Sequence, residues 1–310
     1  LYASAIPPAV RPQASCLRAF FVPASPFFRQ RRDQAGPCGC PCPQQATRAG
    51  LPSAIAFCPP AGHHYPMSRS PSPSPLPPLL LAACPLPSGP GPSPLMALPE
   101  LPEGLPAAED LAHMAAFRLP AERGKRHLAR LLLTVLLHRA VLSGLPARPS
   151  VCWHPLPQLF HHAAQARRFF ARHACPRLHR LPSGRPWLEG HSVSFSYSEQ
   201  AVFCLLAGPG TCPGTDAEAL TSPSPPASAF APRELPSCLS PAARQRDGLR
   251  RWTIKEAVFK AAGTGCDRPP RLLDSGRSGR RSGDLVLDAV RYRWRLLPCP
   301  GHWLCVAVRG

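Results

Sequence analysis

Two short runs hold the side chains best suited to chemistry. In Trp252-Thr253-Ile254-Lys255-Glu256-Ala257-Val258-Phe259-Lys260-Ala261-Ala262-Gly263, Glu256 and Lys260 stand one helical turn apart. That spacing lets a metal-binding acid and a phosphate-binding base share one ligand. Upstream, Gly214-Thr215-Asp216-Ala217-Glu218 sets two carboxylates two residues apart, which in an extended strand puts both on one face. Paired carboxylates repel each other unless a hard divalent cation is present. Asp216, Glu218 and Glu256 together would give three oxygen ligands, a set that suits Mg²⁺ with water and a substrate phosphate completing its shell. Lys260 would then reach a phosphate oxygen. A plainer reading covers the same residues. Thr253 and Glu256 fit the S/T-x-x-E capping box, Glu256 and Lys260 make an ordinary helix-stabilising pair, and Asp216 and Glu218 are surface acids of a loop.

The elements that must position these residues can be read from periodicity. Ile254, Ala257, Val258 and Ala261 recur at helical spacing and form a buried stripe. Val193, Phe195 and Tyr197 alternate with Ser194, Ser196 and Ser198, and Ala201 to Leu206 is continuously apolar. This predicts a hairpin with one half-buried and one fully buried strand. Three further strands are expected at Leu285 to Val290, Tyr292 to Leu297 and Trp303 to Val308. Arg118 to Leu142 reads as an amphipathic helix ending near Gly144, and a His- and Arg-rich helix is expected around Gln158 to Arg172. Residues 221–241 read as a Ser/Pro-rich loop. Helices mixed with antiparallel strands make an α+β domain.

The first 104 residues are a different case. The chain has 310 residues and 45 prolines, about half of them before residue 100, where no period of either kind is sustained. The expectation is Pro-rich, low-complexity chain that is disordered or not translated, with Met96 as a candidate start. The stretch Leu81-Ala82-Ala83-Cys84 resembles a lipoprotein cleavage site, but a run of Ser and Pro precedes it in place of a signal-peptide core. Of the 14 cysteines, Cys38, Cys40 and Cys42 form C-x-C-x-C with His63 and His64 farther on, a poor match to zinc spacing. The others sit as small hydrophobes, as expected of a reducing cytoplasm. No run approaches the roughly 20 apolar residues that cross a bilayer. A net charge of +19 favours acidic partners, although an Arg-, Ala- and Pro-rich composition accounts for it equally well.

In order along the chain stand Gly184-Arg185-Pro186, the serine-bearing hairpin, G-x-D-x-E and W-x-x-K-E-A-x-x-K. This series resembles the 4′-phosphopantetheinyl transferase superfamily, in its larger, monomeric branch that modifies carrier proteins. Phe230-Ala231-Pro232-Arg233-Glu234 and Arg126-His127-Leu128-Ala129-Arg130-Leu131-Leu132 are similar to further segments of the family. The resemblance covers roughly residues 110–310. It implies two similar α/β halves related by a pseudo-twofold, divided here as 105–190 and 191–310, with the metal and phosphate motifs in the second.

By position, the resemblance makes Asp216, Glu218 and Glu256 the magnesium ligands. Lys260 contacts the coenzyme A phosphates and assists the leaving group, Arg185 grips the nucleotide phosphate, and Ser196-Tyr197 stands where the family has Ser-His at the pyrophosphate. Tyrosine for histidine keeps a hydrogen-bond donor and gives up a positive charge. The activity implied is transfer of 4′-phosphopantetheine from coenzyme A to a serine of an acidic acyl or peptidyl carrier protein, with Glu256 or Glu218 taking the serine proton. A cytoplasmic monomer with no membrane or nucleic-acid partner is expected. Two alternatives remain: a catalytically degenerate binding protein of the same fold, and a basic nucleic-acid-binding protein.

Overall fold

The architecture is set by where the apolar runs pair. The computed structural model describes residues 75–87, 95, 98–149, 151–234, 240–264, 268–276 and 279–310. Cys38, Cys40, Cys42, His63, His64 and Met96 lie outside them. The expectation of structureless chain up to residue 104 fails at Leu79–Pro85, which is a strand (β1) buried from Leu79 to Cys84. It pairs parallel with Val151–Trp153 (β2) and antiparallel with Ala201–Ala207 (β6). Ser192–Tyr197 (β5) completes a four-stranded sheet in the order β2-β1-β6-β5. A strand covered on both faces has no polar side to alternate with, so β1 reads as an unbroken apolar run. Cys84 is buried in this strand, its thiol pushed up to about 12 by burial, so the lipoprotein reading is withdrawn.

The second sheet also has four strands, in the order Pro213–Ala219 (β7), His302–Arg309 (β10), Val290–Leu297 (β9) and Ser282–Leu287 (β8). Every pair in it is antiparallel. The strand expected at Leu285 to Val290 ends at Leu287, because Asp288 (φ 49°) and Ala289 (φ 62°) turn the chain back. Leu178–Arg180 (β3) and Pro186–Leu188 (β4) form a separate ribbon. The hairpin β5–β6 belongs to the first sheet, so the change of sheet falls between β6 and β7 and not at residue 190.

Four layers result. Ala108–Ala115 (α1), Pro120–Ser143 (α2) and Leu156–Phe170 (α3) lie on the first sheet's side. There Leu128, Leu131, Leu132 and Leu136 of α2 pack with Leu80, Ala82, Val193 and Phe195. The opposite face of that sheet, through Leu79, Leu81, Phe203 and Leu205, meets Ala217, Leu304, Val306 and Val308 of the second sheet. Pro241–Ala262 (α4) covers the far side, with Ile254, Ala257, Val258 and Ala261 packed on Trp294, Leu296, Cys305 and Ala307. That is the stripe expected from the sequence. Among the described residues no helix is long and apolar enough to cross a membrane.

Candidate active site

The site is built where α4 crosses β7. Alternation in β7 sends Ala217 into the inter-sheet core, so Gly214, Asp216 and Glu218 share the other face, beneath α4. Glycine is required at the first of these. A Cβ on Gly214 would stand 2.0 Å from the Ala257 carbonyl oxygen and 2.4 Å from the Ala261 amide nitrogen. Both are backbone atoms of α4 and cannot rotate away. Ala257 and Ala261 keep the helix face slim at that contact, and the close approach brings Glu256 and Lys260 over the two acids. Gly214→Ala is therefore expected to lift α4 and destabilise the fold by about 1–3 kcal/mol or more. Thermal melting of the variant checks this.

The capping-box reading does not survive. α4 begins at Pro241, and the hydroxyl of Ser240 accepts from the Ala243 amide at 3.3 Å as its N-cap. Thr253 lies mid-helix and fully buried, its hydroxyl donating to the Leu249 carbonyl at 2.8 Å. Glu256 is thus free of any capping duty.

Three carboxylates face one ammonium here. Lys260 Nζ donates to Asp216 Oδ1 at 2.7 Å, and Trp252 Nε1 donates to Glu218 Oε1 at 3.1 Å. Burial, then the charge of Asp216, pushes the Glu218 carboxyl up to about 8, against the pull of Lys260 and Trp252. The same two causes push Glu256 up to about 7, again against Lys260. For Lys260 burial works against the charge, but Asp216 and the two glutamates outweigh it and raise its pKa. Its side chain keeps 31 % of its surface exposed, so it can still meet a ligand.

One oxygen is left over. Asp216 Oδ2 is buried with no hydrogen-bond partner. Among the described residues no three His, Cys, Asp or Glu side chains are drawn into a ready-made metal cage. An orphaned carboxylate oxygen, excess negative charge and all-oxygen donors nevertheless fit a hard divalent cation.

The remaining sequence candidates are placed differently. Arg185 lies between β3 and β4, with its guanidinium against Gly263, the left-handed C-cap of α4 (φ 73°), so it stands just past Lys260 at the helix end. Ser196 is only 1 % exposed, and its hydroxyl donates to Asp216 Oδ1 at 3.0 Å. Tyr197, its neighbour in β5, points to the opposite face. There it accepts from Arg130 Nη1 at 3.2 Å and lies under the Arg126 guanidinium at 4.2 Å. Ser196 and Tyr197 therefore do not present two hydroxyls to one ligand, which corrects the expected pairing.

Residues 213–298 match the family model of the 4′-phosphopantetheinyl transferase superfamily. The match takes in β7 and all of α4, hence Asp216, Glu218, Glu256 and Lys260, and it points to phosphopantetheine transfer in general terms. Arg185, Ser196 and Tyr197 lie outside the matched stretch. No curated protein matches the chain.

The matched stretch also contains a buried pair to which the sequence reading gave no role. Lys255, the first lysine of W-x-x-K-E-A-x-x-K, is fully buried and donates to Glu234 Oε2 at 2.5 Å, to the Ala229 carbonyl at 2.9 Å and to the Pro270 carbonyl at 3.0 Å. Glu234 also accepts from the Ser275 amide at 2.9 Å, the Ser275 hydroxyl at 2.7 Å and the Ala231 amide at 2.8 Å. This ties the connecting segment and the 268–276 loop to α4. An acid at the end of F-A-P-R-E, facing a lysine next to Glu256, was the available signal.

Glu234→Ala would leave Lys255 buried and unpaired, at a cost of about 3–5 kcal/mol. Burial alone would raise the Glu234 carboxyl, but the bonds from Lys255, Ser275 and Ala231 win and hold it below its ordinary value. Its contribution is then complete above the ordinary glutamate pKa and fades as pH falls through the lowered one. Melting curves taken down into the acid range should fall for the wild type over that window and stay flatter for Glu234→Ala.

Proposed function

We propose that the protein transfers the 4′-phosphopantetheine arm of coenzyme A to a serine of an acidic acyl or peptidyl carrier protein, releasing 3′,5′-ADP. The observation that carries this reading is the convergence of Asp216, Glu218, Glu256 and Lys260 at the β7–α4 crossing, with Asp216 Oδ2 buried and unpartnered.

The carrier serine oxygen bonds to the β-phosphorus of coenzyme A while the bond from that phosphorus to the oxygen bridging to the α-phosphate breaks. The serine proton passes to Glu256 or Glu218. Lys260 donates to the pyrophosphate oxygens and meets the charge that develops on the leaving group. Arg185, just beyond the end of α4, is suited to the nucleotide phosphate. Mg²⁺ held by Asp216, Glu218 and Glu256 would supply positive charge to the pyrophosphate oxygens. The net charge of +19 would steer an acidic carrier toward this surface.

The test is a labelled coenzyme A transfer assay with Mg²⁺ and a panel of apo carrier proteins. Label on a carrier serine is the expected result. A folded protein that labels none of them overturns the proposal.

A further inference from the structure

Ser194 and Ser196 of β5, with Ser198 just past its end, form a seam between the two sheets. β5 pairs with β6 and β7 pairs with β10, and among the described residues no backbone ladder joins β5 to β7, although the two strands lie in contact. Side chains take the ladder's place. Ser194 Oγ accepts from the Thr215 amide at 3.0 Å, and Ser196 Oγ accepts from the Ala217 amide at 3.0 Å. Ser198 Oγ meets His302 Nε2 of β10 at 3.0 Å. Buried edge amides need acceptors, and a hydroxyl on every second residue of β5 supplies them in step with β7.

Ser196 differs from Ser194 in where its proton goes. With the oxygen accepting from Ala217, the O–H donates to Asp216 Oδ1 at 3.0 Å, the same oxygen that takes the Lys260 ammonium at 2.7 Å. Both donors lie on Oδ1, and Oδ2 is left bare. At 1 % exposure Ser196 has almost no surface to offer a substrate phosphate.

We infer that Ser196 is a positioning residue, which fixes the rotation of the Asp216 carboxylate so that Oδ2 is the oxygen presented to the divalent cation. This rests on the transfer reading above. Hydrogen bonds of this kind orient a ligand and hold it in its binding rotamer.

Mn²⁺ binding followed by electron paramagnetic resonance tests it without coenzyme A or turnover. Ser196→Ala should weaken Mn²⁺ binding about 10- to 100-fold. Ser194→Ala removes an equivalent rung of the seam without touching Asp216 and should bind Mn²⁺ as the wild type does. Both should lose similar amounts of thermal stability, which separates positioning from general loosening of the seam. Wild-type Mn²⁺ affinity in Ser196→Ala overturns the inference alone, as does equal weakening in the two variants. If the wild-type protein binds no Mn²⁺, the metal-dependent transfer reading falls, and this inference falls with it.

Discussion

Asp216→Asn and Glu256→Gln should each lower transfer by on the order of 10²–10³-fold while leaving the protein folded, and Glu256→Gln should leave it, above neutral pH, more stable. The two effects have one cause. Asp216, Glu218 and Glu256 are held together against their mutual repulsion, and in the absence of a divalent cation Lys260 is, among the described residues, the ammonium that offsets them. An arrangement of this kind makes sense as a binding site and poor sense as a stabilising device.

The sign follows from linkage. The Glu256 carboxyl is raised from an ordinary 4.5 to about 7 in the folded chain, so the fold binds its proton more tightly than the unfolded chain does. The cost to stability builds between those two values and is full above the higher one. Glu256→Gln removes it. Melting in EDTA should therefore show little gain at pH 4.5 and a higher Tm at pH 8, roughly 2–4 °C for each kcal/mol recovered. Added Mg²⁺ should raise the Tm of the wild type and do so far less for either variant. Loss of cooperative unfolding in both variants would assign the acids a structural role instead.

Legibility in the sequence followed periodicity. Ile254, Ala257, Val258 and Ala261 proved to be the buried face of α4, and the alternation from Val193 to Tyr197 proved to be a strand. The G-x-D-x-E spacing put both acids on one face as read, and the structure adds why the glycine leads: the backbone of α4 fills the place of its side chain. Where pattern was lost, so was the reading. The first turns of α4 are polar and interrupted by Gly248, so helical periodicity shows only from near Trp252, where Thr253 fits a cap. Asp288-Ala289 lacks the glycine that usually marks a turn with positive φ, so nothing in the sequence ends β8 at Leu287. Ser196 looked like a ligand because its neighbour was compared with it along the chain. Its partner Asp216 lies 20 residues away and across a sheet boundary, a relation only the fold supplies.

Proline-rich surroundings hid β1, and from that comes the second large prediction. A chain beginning at Met96 should fail to fold cooperatively. β1 is the strand between β2 and β6, and it faces two cores at once, with Leu80 and Ala82 toward α2 and Leu79, Leu81 and Ala83 toward the second sheet. Leu79, Leu80 and Leu81 are at most 2 % exposed. Burial of each is worth about 1.5–3 kcal/mol, so their loss alone approaches the roughly 5–15 kcal/mol that holds a typical domain together. The backbone cost comes on top. β6 would lose the partner it pairs with from Leu79 to Pro85, and β2 would lose the one strand it is bonded to among the described residues. Two newly unpaired edges invite aggregation. The expected outcome for the Met96 chain is insoluble expression, or a soluble form with no sharp thermal transition and little near-ultraviolet circular dichroism, beside a full chain that melts cooperatively. Equal melting of the two would mean that another segment replaces β1 in the first sheet. If translation starts at Met96 in the cell, such a chain could not carry the seam of Ser194 and Ser196, because β5 is held in place through β6 and β6 through β1.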